Sequence, residues 1–124
     1  MAYEQDRYIC TPETATATLD KYGVAIIPNI LNKEQCDNLK SEVWDYFEHI
    51  TQSWDIPVSR GNQESWRGLF SLFPKHSMLH QHFSCGQSQA VWNVRQNPNV
   101  VNVFSHIWKT KPEDLLVSFD GLSF

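Results

Sequence analysis

His80, His82 and Cys85 form the densest group of metal-ligating residue types in the chain. If this segment is a strand, the two histidines share a face and Cys85 can turn back towards them, as the ligands of a metal site must. In a helix, side chains two positions apart do not face each other. A fourth ligand is not evident. Structural or surface histidines are the preferred interpretation, and a metal-binding protein that uses these three residues is an alternative hypothesis.

Three further residues are candidates for a substrate or cosubstrate pocket. Arg95 follows Trp92 by three positions, so on a helix its guanidinium can stack on the indole and still bind a carboxylate or phosphate. Ser118 and Asp120 alternate onto one face of a predicted strand, where they are placed to line a cavity. The simpler alternatives are a stacked structural arginine and a strand face exposed to solvent.

Motifs of the common catalytic machineries are absent from the sequence. The chain contains no His-x-Asp or His-x-Glu pair, and no GxSxG, Walker, GxGxxG or HExxH motif. We therefore expect no catalytic residue and no complete set of metal ligands within these 124 residues.

Composition excludes several classes of partner. A net charge of −4 and scattered lysines argue against nucleic-acid binding, which needs clustered positive charge. No stretch approaches the ~20 apolar residues that span a bilayer, and no signal peptide opens the chain. Three widely spaced cysteines without a CxxC motif predict free thiols rather than a disulfide framework. We expect a cytoplasmic protein with neither nucleic-acid nor membrane partners.

The elements that must position these residues are predicted to be mostly helical. Residues 1–10 are predicted to be a loose arm, and residues 11–113 a helical support region with one short strand at 24–27. The predicted helices span 11–22, 32–50, 87–96 and 98–111, with a helical turn at 77–83 and a long aromatic loop at 51–75. The second helix is predicted to bury Cys36, Leu39, Val43, Tyr46, Phe47 and Ile50. The last is predicted to bury Val100, Val101, Phe104, Ile107 and Trp108.

Residues 114–124 are predicted to form a β-strand, because apolar Val117 and Phe119 alternate with polar Ser118 and Asp120. The apolar pattern runs to the last residue without a turn, polar tail or charged cap. Complete proteins usually cover an apolar strand at an open sheet edge. We therefore expect an incomplete fold that can self-associate through this edge. A complete C-terminal strand is the alternative.

A family resemblance rests on three stretches that occur in order. They are YGVAIIPNILNKEQ at 22–35, VWNVRQNPNVVNVFSHIW at 91–108 and LLVSFDG at 115–121. Over residues 16–124 the chain resembles the N-terminal part of the phytanoyl-CoA dioxygenase-like family, which are iron(II)- and 2-oxoglutarate-dependent oxygenases. The first stretch is similar to the family's opening strand, proline and helix.

The resemblance implies an α+β fold in which N-terminal helices brace the first strands of a double-stranded β-helix, or jelly roll. Residues 114–124 would begin that core, which is incomplete here. In the family, a His-x-Asp pair and a later histidine bind iron, leaving positions for 2-oxoglutarate and oxygen. None of these ligands can be assigned to this sequence. The full-length protein is therefore expected to bind iron(II) and 2-oxoglutarate, and this chain alone to bind neither.

Two functional hypotheses follow from the sequence. In the first, the chain is the N-terminal portion of an oxygenase that hydroxylates an aliphatic C–H bond of a small molecule or side chain, and is inactive by itself. Its pocket candidates are Arg95, Ser118 and Asp120. In the second, the chain is a complete small α+β binding or interaction module without catalysis.

Overall fold

The computed structural model describes residues 4–73 and 79–123. Its helices are α1 (Ala15–Tyr22), α2 (Lys33–Thr51), α3 (Gln89–Arg95) and α4 (Pro98–Trp108). Two short strands, β1 (Leu79–His80) and β2 (Leu122–Ser123), pair antiparallel. Five 3₁₀ helices complete the described elements, at Asp6–Tyr8, Pro12–Thr14, Gln63–Leu72, Cys85–Gln87 and Pro112–Asp114. The chain divides into two compact units, one from residues 4–32 and 95–117 and the other from residues 33–94 and 118–123.

The beginning of the first unit is held by reciprocal hydrogen bonds. Thr11 and Thr14 form a capping box, in which the Thr11 N–H donates to Thr14 Oγ1 over 3.0 Å. α1 ends at Gly23, which adopts φ 72° and donates its N–H to the Leu19 carbonyl over 2.7 Å. Glycine is suited to this left-handed position because it has no Cβ. The predicted helix start and the glycine C-cap are confirmed.

The N-terminal arm of the described chain is tied down rather than loose. The Cys10 N–H donates to the Ile26 carbonyl over 2.9 Å, and the Ile26 N–H donates to the Tyr8 carbonyl over 2.8 Å. These bonds make a single parallel bridge between Ile9 and Ile26. The strand predicted at 24–27 is therefore reduced to one bridging residue.

α4 packs on α1 and on Pro12–Thr14 within the first unit. Asn97 caps its start, since Asn97 Oδ1 accepts from the Asn99 N–H at 2.9 Å. The predicted helix is confirmed, but its predicted buried stripe is partly wrong. Val103 is buried, whereas Phe104 is 50% exposed and Trp108 is 70% exposed.

The second unit is built on α2. Of the predicted apolar stripe, Phe47 is buried in a cluster with Val58 and Leu72, and Val43, Tyr46 and Ile50 pack partly buried against this cluster. Thr51, at the end of α2, secures the following loop. Its hydroxyl donates to the Phe47 carbonyl at 2.8 Å and accepts from the Val58 N–H at 3.0 Å. The described part of the aromatic loop, residues 52–73, is thus tied to α2, and Gln63–Leu72 within it forms a 3₁₀ helix.

Arg60 provides a second anchor between this loop and α2. Its guanidinium contacts both Glu48 oxygens, with Nη2 2.8 Å from Oε2, and it also pairs with Asp45. The Arg60 backbone N–H donates to Glu48 Oε1 over 2.8 Å. These hydrogen bonds hold the pKa of the Glu48 carboxyl below its ordinary value.

The predicted terminal strand is much shorter than expected. Leu79 pairs with Ser123, and His80 pairs with Leu122. Residues 115–120 have no regular secondary structure, and Leu116 and Val117 are exposed. β1 also replaces part of the helical turn predicted at 77–83, while residues 77 and 78 lie outside the described part of the chain.

Gly121 is required by the close approach of the two strands. A Cβ added at this position would lie 2.4 Å from the His80 carbonyl oxygen, well inside van der Waals contact. The absence of a side chain at Gly121 therefore allows β2 to approach β1 and fixes where Leu122 meets the core.

Candidate functional site

His80 lies at the centre of a buried hydrogen-bond network in the second unit. Its side chain is fully buried. Nδ1 lies 3.1 Å from the Leu72 carbonyl oxygen, and Nε2 lies 2.8 Å from the hydroxyl of Tyr46 on α2. The carbonyl can only accept, so Nδ1 carries a proton for this bond. The two contacts join β1, the end of Gln63–Leu72 and α2.

Tyr46 extends the network to the turn that precedes α3. Its hydroxyl lies 3.2 Å from the His82 carbonyl oxygen and 3.1 Å from that of Phe83. Burial raises the pKa of this hydroxyl well above its ordinary value, so it keeps its single proton, which is shared among the acceptors around it. Phe83 and Ser84 both have positive φ, at 54° and 56°. The hydroxyl thus anchors a turn made of two strained residues.

The predicted metal ligands do not converge in this network. Cys85 is buried and its thiol donates to the His80 carbonyl over 3.1 Å, whereas His82 is exposed. Both ring nitrogens of His80 already have hydrogen-bond partners. Over residues 4–73 and 79–123, no three His, Cys, Asp or Glu side chains are grouped to hold a metal ion. A metal site at these three residues does not fit this arrangement, and His80 has a structural position.

The three pocket candidates are not brought together within one unit. Arg95 is the last residue of α3, is half-buried and belongs to the first unit. Ser118 and Asp120 belong to the second unit and are exposed. The Ser118 hydroxyl donates to Asp120 Oδ2 over 3.0 Å. Because residues 115–120 do not form the predicted strand, the predicted strand face is not formed, and the role of the two residues in a pocket stays a prediction.

Trp92, the expected stacking partner of Arg95, packs against Phe119. Its ring meets Phe119 edge-to-face with centroids 5.8 Å apart, and its indole N–H donates to Gln87 Oε1 over 3.2 Å. Trp92 therefore connects α3 to the segment that leads into β2.

An apolar cleft in the second unit was not identified from the sequence. It has a volume of about 410 Å³ and lies between α2, the 3₁₀ helix Gln63–Leu72 and β2. Its apolar lining includes Leu39, Val43, Trp44, Trp66, Leu69 and Leu122. The predicted stripe of α2 contained part of this lining, but the contribution of Trp66 depends on how the aromatic loop folds.

Comparison with known proteins gives one informative relative. The chain is 31% identical over 110 residues to a protein of Dictyostelium discoideum named "Putative phytanoyl-CoA dioxygenase". This similarity supports the predicted resemblance to the phytanoyl-CoA dioxygenase-like family. The match covers 85% of this chain but only 29% of the relative's length. No family model matches the chain, and no solved structure matches it.

Within residues 4–73 and 79–123, no helix is long and apolar enough to cross a bilayer.

Proposed function

We propose that this chain is the N-terminal portion of an iron(II)- and 2-oxoglutarate-dependent oxygenase. The observation that carries the proposal is the 31% identity to the Dictyostelium relative over 110 residues. In the full-length protein, the reaction would hydroxylate an aliphatic C–H bond of a small-molecule substrate or of a side chain.

The proposed role of this chain is to support the catalytic core rather than to hold the metal. The described residues offer no group of three ligands that fits iron. We therefore assign iron and 2-oxoglutarate binding to parts of the full-length protein outside this chain. In the proposed jelly roll, α2 and its buried cluster brace the first strands, among them β2. Arg95, Ser118 and Asp120 remain candidates for the pocket that these parts would complete.

Two contacts within the second unit favour its proposed role as a brace for the first strands. Leu122 of β2 packs against the cluster of Phe47, Val58 and Leu72. Tyr46 and His80 then join α2 to β1 through a 2.8 Å hydrogen bond. Helix and strand are consequently held together by both apolar packing and a buried polar contact.

The test compares this chain with a longer protein that continues past Phe124 and carries a His-x-Asp pair and a later histidine. Iron content is measured after loading with iron(II) under anaerobic conditions, and succinate is measured after adding 2-oxoglutarate and oxygen. We expect stoichiometric iron and succinate only from the longer protein. Succinate formed by the 124-residue chain would contradict the proposed division of roles. A longer protein that binds no iron would contradict the proposed activity.

A further inference from the structure

We draw no further inference here: the strongest candidate, the apolar cleft between α2, the 3₁₀ helix Gln63–Leu72 and β2, lies beside Leu122 and Ser123, and nothing in the structure shows what covers it.

Discussion

Removing the hydrogen bond between Tyr46 and His80 tests most directly what holds the second unit together. Tyr46→Phe removes the hydroxyl 2.8 Å from His80 Nε2 and keeps the ring. Because His80 is fully buried, water cannot readily replace the lost partner. The variant also removes the contacts of the hydroxyl with the carbonyl oxygens of His82 and Phe83.

The expected cost follows from leaving a buried polar atom unsatisfied. One such atom costs about 1–3 kcal/mol, compared with about 1 kcal/mol for an ordinary hydrogen bond lost to solvent. For a chain of this size, each kcal/mol lowers Tm by roughly 4 °C. We therefore expect Tyr46→Phe to lower Tm by roughly 4–12 °C, the product of these two figures.

Urea and thermal unfolding followed by circular dichroism measure this change. Tyr8→Phe is the matched control, because the Tyr8 hydroxyl makes an exposed contact with Arg7. Its effect should stay within about 0.5 kcal/mol. If Tyr46→Phe is as stable as Tyr8→Phe, then the hydroxyl does not secure His80 and the reasoning is refuted.

The same pair of proteins has an expected pH dependence. Burial raises the pKa of Tyr46 above its unfolded value of 10.0. The stability from this group is therefore complete below pH 10 and declines as pH rises further, because the unfolded chain ionises first. Tyr46→Phe lacks this loss, so its stability deficit should shrink above pH 10. A stability deficit that does not change with pH would show that burial does not raise the pKa of the Tyr46 hydroxyl.

Three further changes test other contacts. Gly121→Ala places a Cβ 2.4 Å from the His80 carbonyl oxygen, so we expect loss of β1–β2 pairing and faster amide exchange in both strands; normal exchange would contradict this. Arg60→Met removes the partner that lowers the pKa of Glu48. The Glu48 carboxyl has a lower pKa in the folded than in the unfolded state, so its ionised form stabilises the fold at pH values above the unfolded pKa of 4.5. The parent protein should therefore lose more stability than Arg60→Met as the pH falls below 4.5; equal losses of stability in the two proteins would disprove this. Gly23→Ala should cost about 1 kcal/mol in urea unfolding, because alanine is strained at φ 72° although nothing obstructs its Cβ; an unchanged midpoint would refute the strain.

The helices were the part of the fold that the sequence predicted best. The stripe of α2 and the Asn97-Pro98 start of α4 depend on contacts between residues three or four positions apart, so local patterns predict them. The face of α4 was less predictable. Val103 rather than Phe104 is buried, because burial depends on which neighbouring helix α4 meets.

Strands and the polar network depended on contacts between distant residues. His80 and Tyr46 are separated by 34 positions, and no local pattern indicates that they meet. The terminal alternation predicted a long strand, but pairing in the described chain extends only over Leu122 and Ser123. The proposed jelly roll is a prediction of the same long-range kind and rests on the family resemblance.

The discontinuity of the first unit has a consequence for folding during synthesis. Asn99 donates to the Ile30 carbonyl across 69 positions of the chain. α1 and Pro12–Thr14 leave the ribosome well before α4, the helix on which they pack. Residues 33–94 of the second unit are continuous and can begin to associate earlier. Residues 4–32 are thus expected to acquire their final packing late, after most of the second unit has been made.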